Sequence, residues 1–175
     1  MNPWTVCLLM LLAFAGWTVL CNCLRAKVRI AVNVILFCVS AAIILHATLL
    51  SRTPGTYTAV LTPFAALAAA RQQPELYREM LMNVFLFFPL GLTLSNALPR
   101  TWHRWLRIAL TTLTGCVLSA GIEYAQYRFA LGMAETDDVI CNTLGAFVGA
   151  SSLLLAHAME KHKERPTTMT LTATE

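Results

Sequence analysis

The chain has 175 residues, of which 57% are hydrophobic and 13% charged, with a formal net charge of +4. A soluble domain carries about 25% charged residues, so this composition excludes an ordinary soluble enzyme. It indicates an integral membrane protein folded as one helical bundle. The six cysteines (Cys7, Cys21, Cys23, Cys38, Cys116 and Cys141) lie in or beside apolar runs. They lack the paired spacing of a zinc site and read as small packing residues.

A spanning helix needs about 20 mostly apolar residues. Five such runs follow along the chain, near residues 4–24, 30–50, 78–98, 106–128 and 138–158. The first has no Lys or Arg before it and is as long as a span, so it reads as a retained helix rather than a removable leader. Between the second and third runs, residues 51–77 carry Pro54-Gly55 and Pro63, which break helix. The stretch from Phe64 to Arg71 suits a short helix lying in the membrane interface. The chain therefore divides into two N-terminal spans (1–52), a core with an outer segment and three spans (53–160), and a basic, then disordered, tail (161–175).

Charge placement orients the bundle. Arg25, Lys27 and Arg29 separate the first two spans, Arg100, Arg104 and Arg107 separate the third and fourth, and Lys161, Lys163 and Arg165 follow the fifth. With five spans, all three clusters fall on the cytoplasmic side when the N-terminus is outside and the C-terminus inside. Basic clusters explained this way give no support to nucleic-acid binding.

Polar groups then collect toward the outer leaflet. In the third run, Asn83 lies about 7 Å below the interface at 1.5 Å per residue. Pro89 removes a helical hydrogen bond and favours a kink, and Gly91 admits a close neighbour. Near the end of the fourth run, Glu123 and Gln126 reach a similar depth. In the fifth, Asp138, Asn142, Gly145 and Gly149 form one stripe, polar at the top and small below. Gly145 and Gly149 suit either packing within the chain or a homodimer. Arg78 and Arg128 are close enough in sequence to serve as partners of the acids. At least one of Asp137 and Asp138 suits capping of the fifth helix. An ionisable group inside a span is a functional candidate by default; for Asn83 and Asn142 singly, helix-to-helix hydrogen bonding is the plainer reading.

The ordered blocks "LTPF", "REMLMNVFLFFPLG", "IEYAQ" and "DDVICNTLGAFVG" resemble the VanZ-like family of bacterial membrane proteins. The resemblance covers roughly residues 60 to 150. It places the family's polar signature on Arg78, Asn83, Glu123, Gln126, Asp138 and Asn142, and its structural positions on Pro89, Gly91, Gly145 and Gly149. One departure is Glu135-Thr136-Asp137-Asp138, where the family often has Asp at the first position. The resemblance implies a multi-pass protein of the bacterial cytoplasmic membrane with a role at the cell envelope, including teicoplanin-type resistance in some members, and it implies no cofactor.

Two functions compete. In the first, the chain is a non-catalytic accessory or binding protein. Its outward pocket of Arg78, Asn83, Glu123, Gln126, Arg128, Asp137, Asp138 and Asn142 would take a lipid headgroup, a lipid-linked envelope precursor or a lipoglycopeptide. In the second, it is an intramembrane enzyme on a lipid-linked substrate, with Glu123 and Asp138 as an acid–base pair or as oxygen ligands of a divalent ion. No nucleophile–base pair or metal motif stands out in the sequence. A transporter is disfavoured by the lack of internal repeats.

Overall fold

The computed structural model of the chain describes residues 3–55, 57–70 and 72–163. Helices dominate: α1 (Pro3–Cys23), α2 (Ala26–Leu45), α3 (Ala65–Ala70), α4 (Pro74–Ala97), α5 (Arg104–Phe129), α6 (Thr136–Ala150) and α7 (Ser152–Lys163). α2 runs on into one widened π-helical turn, His46–Leu50. Among the described residues, four stretches are long and apolar enough to cross a membrane: Ala26–Leu50, Glu75–Ala97, Arg104–Phe129 and Thr136–Ala158. The first run read from the sequence is present as the 21-residue α1. The last, read as one helix, is α6 and α7 joined through a turn at Ser151. The expected disordered tail lies almost wholly outside the described residues, as does Arg71.

The bundle is built around α4 and α6. A Cβ on Gly91 would fall on the backbone of Ala146, one on Gly145 on the backbone of Val84, and one on Gly149 on the backbone of Phe88 and Leu92. Only glycine permits this approach, which brings two backbones close enough for extensive van der Waals contact. The small-residue stripe is thus used in packing α6 against α4 within the chain. α4 remains helical through Pro89. Around this seam Ile44, Phe87, Leu90 and Ile122 form the buried apolar cluster. Ile35, Ile43, Leu113 and Val117 point outward and exposed, as suits helices solvated by lipid.

One end of the bundle is fastened by arginines. The last carbonyls of a helix lack internal partners, and at α4 these are taken by cations. Arg29 Nη1 donates to Asn96 O at 2.6 Å and Arg107 Nη2 to Ser95 O at 2.7 Å. Both guanidiniums are buried. Asn96 in turn donates to Ser152 Oγ at 3.1 Å. Arg29 and Arg107 therefore cap α4, a favourable use of positive charge at a helix C-terminus.

The opposite end carries a feature absent from the sequence reading, a two-stranded parallel sheet. β1 (Thr58–Val60) pairs with β2 (Met133–Glu135) in the register Thr58 with Met133, Ala59 with Ala134 and Val60 with Glu135. This pairing lays the segment between α2 and α3 across the α5–α6 connection.

Candidate functional site

The α5–α6 connection is tight because its backbone turns left-handed. Ala130, the C-cap of α5, has φ +53°, and Gly132 has φ +149°. The freed carbonyls at the end of α5 are met by Leu131 N–H on Gln126 O and by Gly55 N–H on Ala130 O, at 2.9 and 2.6 Å. Tyr57 packs edge-on against Tyr127. Gly132 has a second use. Its bare Cα leaves room for the Arg52 guanidinium, whose Nη1 lies 2.5 Å from where a Cβ would stand.

Beside this connection opens a cavity of about 510 Å³. Its polar walls are Arg52, Glu75, Arg78, Glu79, Asn83, Glu135 and Asp138, and its apolar walls include Leu76, Met80, Met82 and Met133. Asn83 Nδ2 donates to Asp138 Oδ1 at 2.6 Å, joining α4 to α6 at the cavity wall. Arg78 makes an exposed pair with Glu75 at 3.6 Å; such a pair contributes little to stability and leaves the guanidinium accessible. The cavity thus holds four carboxylates and two guanidiniums. The Glu135 carboxyl, at its mouth, is raised above the ordinary carboxylate range by burial and by the neighbouring charges of Asp137 and Glu79.

The remaining sequence candidates lie elsewhere. Glu123 is buried, does not line the cavity, and accepts Glu135 N–H through Oε2 at 2.9 Å. Gln126 is buried and donates to Thr48 O at 3.1 Å, tying α5 to the widened turn that ends α2. Asn142 is buried and donates to Ser119 Oγ at 2.9 Å, joining α6 to α5. Arg128 is exposed, with its guanidinium 5.9 Å from the Phe129 ring centroid. Neither Arg78 nor Arg128 bonds Glu123 or Asp138 directly. The expected partnership of the acids with these two arginines is not made among the described residues; Arg52 shares the cavity wall with Asp138.

Asp137 departs furthest from expectation. It does not cap its own helix, whose N-cap position, Glu135, makes no side-chain cap bond. Its carboxylate instead accepts Phe64 N–H at 2.5 Å and Ala66 N–H at 2.7 Å, capping α3 across 73 and 71 residues. The polar groups read as one pocket thus separate into two sets, with the exposed Arg128 in neither. Arg78, Asn83 and Asp138 face a cavity, whereas Glu123, Gln126, Asp137 and Asn142 fasten backbone and helices around it. Arg52, Glu79 and Glu135 complete the cavity. Arg52 stands immediately after the second apolar run, a position that by itself signals no more than a charge at a membrane edge.

Comparison with known proteins agrees with these blocks. Over 95 residues the chain is 36% identical to Protein VanZ of Enterococcus faecium, covering 51% of this chain and 48% of that relative. The chain thus spans about half the length of the relative it matches. No solved structure gives a significant match. The VanZ/LLP1 family model matches residues 5–157, nearly the whole bundle and every block that walls or fastens the cavity, and the chain belongs to the VanZ/LLP1 family.

Proposed function

We propose that the chain is a non-catalytic accessory protein of the bacterial cytoplasmic membrane, whose cavity binds the polar end of a lipid-anchored envelope ligand and which contributes to teicoplanin-type resistance. In this reading five helices cross the membrane, with α1 as the first, the N-terminus outside and the C-terminus cytoplasmic. The cavity then opens to the outer side. The ligand is a lipid headgroup, a lipid-linked envelope precursor or a lipoglycopeptide.

The observation that carries this reading is Asp138, held by Asn83 at the wall of a 510 Å³ cavity that also contains Arg52 and Arg78. Guanidiniums suit phosphate or carboxylate, while Asp138, Glu79 and Glu75 suit an ammonium group. A ligand bearing both charges matches such a wall. The methionines beside it offer adaptable apolar contact to a lipid chain. An acid–base pair of Glu123 with Asp138 is less favoured, because Glu123 is engaged by the β2 backbone and lies off the cavity.

Two measurements test the reading together. Teicoplanin susceptibility is compared in a strain without the protein, with wild type, and with Asp138→Asn or Arg52→Gln/Arg78→Gln. Binding of lipid-linked precursor and of teicoplanin is then measured on the purified proteins. Resistance and binding are expected to fall together in both variants, by roughly tenfold where a charge-assisted contact of about 1.5 kcal/mol is lost. Unchanged binding by the double arginine variant would sink the assignment.

A further inference from the structure

At the other end of the bundle lies a second cavity, of about 280 Å³, walled by Asn96, Arg100, Trp102, His103, Arg104, Arg107, Leu153, Ala156 and His157. Three guanidiniums and two imidazoles converge on it, and among the described residues no carboxylate lines it. The positive field has a further source. The cavity surrounds the start of α5, a 26-residue helix whose first turn contains no acid and whose N-cap residue, His103, makes no side-chain cap bond. The first N–H groups of a helix lack internal acceptors and carry the positive end of its dipole. Acidic side chains normally occupy such a turn; here Arg104 and Arg107 do. Arg107 is fixed by its bond to Ser95 O, Arg100 reaches Cys21 O at 3.3 Å, and Arg104 has no protein partner among the described residues. Unlike the cavity near Asp138, this one sets three guanidiniums and no carboxylate among the described residues around its walls.

Its depth is that of a membrane surface. It lies where the span Glu75–Ala97 ends and the span Arg104–Phe129 begins. Trp102 and Trp105 are exposed on its flank, as amphipathic rings are at headgroup level. We propose that this cavity is a binding site for the phosphate group of an anionic phospholipid in the leaflet opposite the Asp138 cavity. Arg100 and Arg104 hold the phosphate oxygens, and the start of α5 adds its free N–H groups.

The test uses full-length protein in mixed phosphatidylcholine–phosphatidylglycerol nanodiscs, with the lipid retained through purification quantified by native mass spectrometry. Wild type is expected to retain phosphatidylglycerol in preference to phosphatidylcholine. Arg104→Gln and Arg100→Gln are each expected to lower that preference roughly tenfold, the loss of one charge-assisted hydrogen bond to the phosphate. Arg104→Lys keeps most of it. Lys27→Gln, which removes one exposed charge at the same end without touching the cavity, leaves it unchanged. Helical circular dichroism and a monodisperse elution profile qualify each variant, and Arg104→Gln alone carries the test where Arg100→Gln fails to fold. Equal losses from Lys27→Gln and Arg104→Gln would mean diffuse surface attraction and overturn the site. Displacement of phosphatidylglycerol by millimolar inorganic phosphate, or the absence of any preference, would overturn the lipid assignment.

Discussion

Asp137 holds the backbone of Phe64, 73 residues earlier in the chain, through one carboxylate oxygen while the other holds Ala66. Phe64 has φ +62°, a conformation that costs an ordinary residue about 1–2 kcal/mol and is rare for a bulky one. The buried carboxylate offsets that cost by binding two N–H groups at the start of α3 at once. Two blocks that are distant in sequence, "LTPF" and "DDV", thus meet in one contact.

Asp137→Asn keeps the shape but loses the charge and one of the two acceptors. It is expected to destabilise the protein by about 2 kcal/mol, as for a hydrogen bond to a charged group. The loss should be local first. Hydrogen exchange at residues 64–70 is expected to accelerate while that of α4 and α6 stays protected.

Glu123 is the residue on which the binding and enzyme readings differ most. Glu123→Gln retains an oxygen for Glu135 N–H, so stability should change by less than about 1 kcal/mol and teicoplanin susceptibility should stay near wild type. Glu123→Ala removes that acceptor and should cost about 1–3 kcal/mol. Loss of phenotype in the well-folded Gln variant would return Glu123 to a chemical role.

The α4–α6 seam gives a steric prediction. Gly145→Ala sets a methyl against the Val84 backbone, which cannot yield as a side chain would. A loss of at least about 1–3 kcal/mol is expected, read from thermal or SDS-induced unfolding in detergent. Gly121→Ala on the exposed face of α5 meets nothing within 4 Å. It should instead gain roughly 0.5–1 kcal/mol from helix propensity.

Glu135 makes stability depend on pH. Burial and the charges of Asp137 and Glu79 raise its folded-state pKa, so the folded protein binds the proton more tightly than the unfolded one. Its favourable contribution is complete below the unfolded carboxylate value of about 4.3 and is lost as pH rises through the folded value. Glu135→Gln lacks this component. The difference in Tm, variant minus wild type, should therefore grow as pH increases across that window and then level off.

How much of this was legible in the sequence depends on the range of the interaction. Apolar runs of span length declare themselves locally, and the Asn83, Asp138 and Gly145 positions follow from helical period and depth. The Asp137–Phe64 contact has no such period. Its partners are joined by a fold that the sequence specifies only through three intervening helices. The strands β1 and β2 have three residues each, too few for an alternating pattern to register. Arg52 escaped because its place is set by the bare Cα of Gly132, 80 positions away in the chain. Glu123 is ambiguous for a different reason: burial and charge mark a residue as costly to keep, but they do not say whether a ligand or a backbone N–H such as that of Glu135 compensates it.

The pairing of β1 with β2 has a consequence for the order of assembly. β1 leaves the ribosome after two helices, whereas its partner strand follows α5, and the Asp137 carboxylate follows that. The partners of β1 and of the Phe64 and Ala66 N–H groups are therefore missing until the α5–α6 hairpin has entered the bundle. Closing the Asp138 cavity therefore has to follow the entry of the α5–α6 hairpin into the bundle. A chain interrupted before residue 133 would contain Asn83, Arg52 and Arg78 and still have no site.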